Sequence, residues 1–164
     1  MGPVRATFWK DPRPLLVLWV ALPATTIQAQ LPVGKPGSYA QQLVNQTRAR
    51  HPALKGVELA LVRHDTCATV AATAPEDVGE RCDADELGPI RSGRPDVEEP
   101  TKADPVYDIT QALHDSAGRL IGAVGMDIAP QPGEDRAVVL AFAQTVRREM
   151  EQSIPSAERL LEAP

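Results

Sequence analysis

The chain has 164 residues, with 17 Lys and Arg against 22 Asp and Glu, for a formal net charge of −5. That length suits one ordinary domain. The acidic balance argues against nucleic acid and anionic membrane surfaces as partners.

The first 29 residues differ from the rest. Arg5, Lys10 and Arg13 form a basic start, Leu15 to Ala24 an apolar run interrupted by Pro23, and Ala29 a cleavage position after TTIQ. This is the pattern of a secretory signal peptide. A membrane anchor is the competing reading, but a spanning helix needs about 20 apolar residues and this run is about half that. No Cys lies near the cleavage position, which argues against a lipoprotein signal. Without residues 1–29 the basic and acidic counts become 14 and 21, a net charge of −7. Both Trp9 and Trp19 leave with the signal, so Tyr39, Tyr107 and Phe142 remain as aromatics and the core falls to Val, Leu, Ile and Ala. The expected location is periplasmic or secreted.

Residues 30–37 carry Pro32, Gly34, Pro36 and Gly37 and read as a linker. Ser38 suits an N-cap, and Tyr39, Ala40, Leu43 and Val44 recur at helical spacing, so a helix is predicted over 38–50, ending before Pro52. Asn45-Gln46-Thr47 is a formal glycosylation acceptor, set aside because the export signal looks bacterial. Val57, Leu59 and Leu61 alternate with Glu58, Ala60 and Val62, which predicts a strand over 57–63. A second strand over 68–73 follows the turn at His64-Asp65-Thr66, with Val70 and Ala72 facing inward. Cys67 and Cys82 form an even pair in an exported chain, so a disulfide is expected, contributing about 3 kcal/mol by the chain-entropy model. The competing reading is a metal site of Cys67 with His64.

Residues 74–105 are polar and irregular, with five prolines at 75, 89, 95, 100 and 105. Asp83 suits the cap of a short helical turn through Leu87 and Ile90. So long a segment is either a solvated insertion or a lid over the sheet.

The stretch 104–128 is the best-specified unit. Tyr107, Ile109 and Leu113 share one face of a strand. The turn HDSAGR supplies Asp115 and Ser116 as backbone acceptors and Gly118 for positive φ, and RLIGAVGMDI is the returning strand. Glu134 and Asp135 then suit a helix start. Val139, Phe142, Ala143, Val146 and Met150 form its apolar stripe. Pro155 ends that helix, and Ser156 caps a last turn through Leu160 and Leu161. Hairpins without crossover helices, with helices at both ends, predict an α+β fold on an antiparallel sheet.

Asp115, Gly118, Ile121, Gly122, Gly125 and Asp127 fill the turn and the IG-x-x-G-x-D strand that resemble the Cache group of extracytoplasmic sensor domains. Gly93 and Pro95, with Ile154, Pro155, Ser156, Ala157 and Leu160, are similar to segments of small secreted members. The resemblance spans roughly residues 38–161. It implies a single Cache or PAS-like domain, an antiparallel sheet flanked by N-terminal and C-terminal helices. The Trp- and Tyr-rich motif of amino-acid-binding members is missing, since no Trp follows residue 29.

Chemistry offers few candidates. The chain has no phosphate loop, zinc-finger spacing or nucleophile elbow. His64 with Cys67, and His114 with Asp115, are better explained by a bridged cysteine and a solvated turn. No catalytic residue, metal ligand or cofactor is therefore assigned. The returning strand has one small face, Ile121, Ala123, Gly125 and Asp127, which leaves room for a ligand or for close approach of a helix. A ligand there would be small and polar or zwitterionic, with Asp127 meeting its cation, Arg91 its anion, and Tyr107 adding a hydroxyl. The functional expectation is an exported small-molecule-binding or sensing module without catalytic activity, partnered by such a ligand and by a membrane receptor or another protein. The alternative is a structural or protein-interaction module of the same fold with no ligand.

Overall fold

The computed structural model describes residues 37–164. The predicted leader over 1–29 and nearly all of the linker lie outside the described residues. Helix α1, Tyr39–Arg50, starts at Ser38, whose hydroxyl accepts from the Gln41 N–H at 3.2 Å. Strands β1 (Leu54–Arg63) and β2 (Thr66–Ala72) form the first hairpin. The segment predicted as irregular holds a single 3₁₀ turn at Pro75–Asp77, helix α2 (Ala84–Ser92) and the short strand β3 (Asp96–Glu98). Strands β4 (Tyr107–His114) and β5 (Leu120–Ile128) form the second hairpin, followed by helices α3 (Arg136–Gln152) and α4 (Ala157–Leu161).

The five strands make one antiparallel sheet in the order β2-β1-β5-β4-β3. The fold is α+β, an antiparallel sheet flanked by helices, as the order of elements predicts. One face is the core. Val57, Leu59, Leu61, Ile109, Leu113, Val124, Met126 and Ile128 meet Leu43 and Val44 of α1 and Val139, Ala143, Val146 and Met150 of α3. Phe142, from the predicted stripe, is only partly buried and meets the His51 ring edge-on at 5.6 Å. The chain end closes on its start: the Tyr39 N–H donates to the Glu162 carbonyl at 2.9 Å and the Tyr39 hydroxyl to the Ser153 carbonyl at 2.6 Å.

Two bulges change the parity of the strands. Leu59 pairs with Ala71 and Ala60 with Thr69, which leaves Val70 as an extra residue. Ala71 rather than Ala72 therefore joins Val70 in the core. Likewise Leu113 pairs with Gly122 and His114 with Leu120, and the extra residue Ile121 enters the core. Leu120, which strict alternation puts on the core face with Val124 and Met126, is left 47% exposed.

The turn between β4 and β5 is built on Asp115. Its carboxylate accepts from the Ala117 and Arg119 N–H groups at 3.0 and 2.9 Å and from Arg119 Nε at 2.6 Å. Gly118 takes φ +78°. Those hydrogen bonds, the Arg119 N–H foremost, hold the Asp115 carboxyl below its usual range.

Candidate ligand cavity

The second face of the sheet is read directly from the register. Ala60, Ala123 and Ala112 lie side by side across β1, β5 and β4, and all three are buried outside the helical core. Three methyl side chains in a row let α2 lie close over β5 and β4. The next row is Ala72, Glu58, Gly125, Thr110 and Asp96; the row after it is Gly56, Asp127, Asp108 and Glu98. Each acid on the β1–β5 pair thus stands opposite a glycine. A Cβ on Gly125 would meet Glu58 Cγ at 2.9 Å, and a Cβ on Gly56 would overlap the Asp127 carboxylate. Glu58 and Asp127 fold across the space that the missing side chains leave.

Helix α2 is fixed at both ends. Before it, residues 79–82 zip onto the edge of β2. The Gly79 N–H donates to the Thr69 carbonyl, the Thr69 N–H to the Glu80 carbonyl, and the Cys82 N–H to the Cys67 carbonyl, at 2.9, 2.9 and 3.2 Å. Cys67 and Cys82 are bonded, with S–S 2.01 Å and Cα–Cα 5.3 Å. The next residue, Asp83, caps α2, accepting from the Asp85 N–H at 2.9 Å while Glu86 accepts from the Asp83 N–H at 2.8 Å. After α2, Gly93 takes φ +68° and the chain enters β3, which pairs with β4. The segment is a roof over the sheet, not a solvated insertion.

Roof and floor enclose a cavity of about 400 Å³. Glu58, Asp108 and Asp127 line its floor; Asp77, Asp83, Asp85 and Glu86 line its roof and rim. The other polar lining is Thr73, Thr110 and one cation, Lys55, whose ammonium reaches the Pro52 carbonyl at 3.4 Å. Crowding carboxylates away from water favours their neutral forms. Burial pushes Glu58 up to about 8, with further contributions from its hydrogen bond to Glu86 and from the charges of Glu86, Asp77 and Asp108. Asp108 rises to about 6, by burial first and then by Asp127, its direct cross-strand neighbour. Burial, followed by Asp104 and Asp77, raises Asp127. Among the described residues no group of His, Cys, Asp and Glu is arranged to hold a metal ion.

Of the three residues expected at a ligand, Asp127 lines this cavity. Tyr107 does not. It pairs with Ile128, so its ring faces the helical core, 8% exposed; its neighbour Asp108 takes the place opposite Asp127. Arg91 stands exposed on α2, outside the lining, so no arginine supplies an anion partner in the cavity. Glu58 is legible in the sequence as an outer-face residue of β1 but not as part of a site. Its signal is reciprocal, an acid opposite Gly125 and a Gly56 opposite an acid, and it emerges only with the register. Asp77, Asp83, Asp85 and Glu86 carry no sequence signal beyond that of a polar segment and a helix cap.

The fold has solved counterparts. The GAF domain of a two-component sensor histidine kinase from Bacillus halodurans superposes with TM-score 0.52 at 11% identity, over 71% of this chain and 94% of that one. A type II free methionine-R-sulfoxide reductase from Thermoplasma acidophilum gives TM-score 0.48 at 12% identity, over 76% and 93%. A putative GAF sensor protein from Burkholderia vietnamiensis gives 0.45 at 14% identity, over 77% and 83%. No family model matches the chain, and no curated protein does. The first similarity places the chain in the GAF/PAS-like fold class; at this identity it speaks for fold alone.

Proposed function

We propose that this chain is a small-molecule sensing module whose ligand is a small organic cation held between the sheet and α2. The observation that carries the reading is the lining: seven carboxylates and one lysine around about 400 Å³. A sensor histidine kinase domain of similar fold supports the class, and the Cache-like hairpin residues support an extracytoplasmic member of it. The zwitterionic ligand expected from the sequence needed Arg91 inside, and Arg91 is outside. An amine or amidine fits what remains, because each ammonium or amidinium N–H finds a carboxylate acceptor and relieves the repulsion among the acids. The chain acts by binding rather than catalysis, after export and removal of residues 1–29.

Titration calorimetry and thermal shift with a panel of mono-amines, diamines, amidines and carboxylic acids test the reading. Amines should raise Tm and acids should not. Asp127→Asn and Asp108→Asn should each weaken binding about tenfold, the scale of one charge-assisted hydrogen bond. Binding should tighten as pH rises through about 6 and about 8, where Asp108 and Glu58 ionise. Silence from every cation, with no bound small molecule on native mass spectrometry, would leave a structural or protein-interaction module of the same fold.

A further inference from the structure

We propose that the cavity selects a dication, a linear diamine with one ammonium group at Glu58 and Thr110 and the other at Asp127 and Asp108. The proposal rests on the cation reading above and names the ligand class within it.

The two floor acids of the β1–β5 pair each lean onto the other strand. Glu58 belongs to β1, but its Cγ and Oε1 lie 2.9 and 3.1 Å from where a Cβ on Gly125 of β5 would stand. Asp127 belongs to β5, but its carboxylate occupies the place of a Cβ on Gly56 of β1. Glu58 pairs with Gly125, and Gly56 with Asp127, so the two glycine positions are diagonal neighbours on adjacent strands. Diagonal neighbours stand about 7–8 Å apart, and carboxylates seated over them share that separation. One ammonium group reaches a carboxylate oxygen at about 2.7–2.9 Å, too short a span to bridge both acids. Two ammonium groups on one chain meet both. Zigzag bonds of about 1.5 Å place about five methylenes between nitrogens at that distance.

Thr110 marks the Glu58 end as more than a patch of charge. It pairs with Gly125, beside the slot that Glu58 fills. It is 6% exposed and lines the cavity, yet its hydroxyl enters no hydrogen bond among the described residues. The other threonine of the lining is committed: Thr73 Oγ1 accepts from the Val57 N–H at 3.0 Å and donates to the Val57 carbonyl at 3.2 Å. A buried hydroxyl without a partner, next to a carboxylate, is a ready acceptor for an ammonium N–H. At the other end Asp108 is the direct cross-strand partner of Asp127. Among the described residues no salt bridge involves Glu58, Asp108 or Asp127. Lys55, the one cation of the lining, has its ammonium at the Pro52 carbonyl instead. Both ends therefore keep their acceptors for a ligand.

Titration calorimetry of the full chain tests this, with alkane-α,ω-diamines of increasing length and the mono-amine of each length. Burial and its acidic neighbours raise Glu58 to about 8, so the titrations are run at about pH 8.5, where Glu58 is largely ionised and alkyl amines keep their charge. Pentane-1,5-diamine should bind about tenfold tighter than pentylamine, the scale of one further charge-assisted contact, and shorter and longer diamines should bind more weakly. Glu58→Gln should abolish the advantage of the diamine over the mono-amine. Thr110→Val should reduce it and Thr110→Ser should restore it, whereas Asp127→Asn should weaken both ligands. Mono-amine binding reports whether each Glu58 and Thr110 variant is folded. Equal affinity for diamine and mono-amine would overturn the dication and leave the cation reading standing. So would affinity that rises with chain length without a maximum, or a diamine advantage that survives Glu58→Gln. Silence from every amine would overturn both.

Discussion

A Cβ on Gly122 would overlap the carbonyl oxygen of Ala60 and come within 2.9 Å of its carbonyl carbon, both backbone atoms in the middle of the sheet. Nothing there can rotate away. Gly122→Ala should therefore cost about 3 kcal/mol or more in urea unfolding, in the range that marks backbone collisions. Gly125→Ala meets only the flexible Glu58 side chain, so about 1 kcal/mol is expected, with the larger effect on the cavity. The acids set the pH profile of stability. Glu58 and Asp108 hold their protons in the folded chain up to about 8 and about 6, against 4.5 and 3.8 for ordinary carboxyls. Their contribution is complete below those ordinary values and is lost as pH rises through the folded ones. Asp115, held low by its turn, works the opposite way: its contribution is present above 3.8 and lost as pH falls below it. Denaturant midpoints measured against pH should peak in the mildly acidic range and decline toward about pH 8. Glu58→Gln should flatten the upper part of that decline and leave the acid limb alone.

Elements with a strong period are legible without any coordinates. Val57, Leu59 and Leu61 face the core as their alternation demands, Ser38 and Asp83 cap the helices they precede, and Val139, Ala143, Val146 and Met150 form the buried stripe of α3. Sequence and structure part where the period breaks. Val70 and Ile121 are bulged residues, and a bulge leaves no mark in composition; it exchanges Ala72 for Ala71 and Leu120 for Ile121. The alternation of its own strand puts Tyr107 on the core face, and only the cross-strand register shows that this excludes a place beside Asp127. The floor acid Asp127 is readable because it ends an apolar strand. The roof acids are not, because carboxylates in a proline-rich segment look like solvated chain. That segment owes its order to long-range pinning, above all to Cys67 and Cys82, 15 residues apart. Replacing both cysteines with alanine should cost about 3 kcal/mol by the loop-closure relation. Amides of α2 should lose more protection than those of α3, since the bridge ends one residue before the α2 cap. Equal loss in both helices would show that the bridge supports the domain as a whole rather than the roof.

On the scale of the molecule, the sheet divides two unlike environments. One face carries a dry core of aliphatic side chains from α1, α3 and α4. The other carries a concentrated negative charge under α2, in a chain with a formal net charge of −5. The two faces respond differently to salt. Apolar packing is insensitive to modest ionic strength, whereas repulsion among ionised acids is screened as the Debye length shrinks from about 30 Å at 0.01 M to about 8 Å at 0.15 M. Near pH 5, Glu58 and Asp108 are neutral, so the repulsion on the cavity floor is weaker than at high pH. Near pH 9 both are ionised beside Asp127, Asp77 and Glu86. Raising sodium chloride over that range should therefore lift Tm by several degrees near pH 9 and by less near pH 5. Diffuse surface charge would also give some salt response, so the location needs its own control. Asp108→Asn with Asp127→Asn changes the net charge by only two but removes the cross-strand acid pair at the centre of the floor. If the cavity is the source, this double variant should lose most of the alkaline salt response and gain stability there. A response that survives it unchanged would assign the repulsion to the general surface.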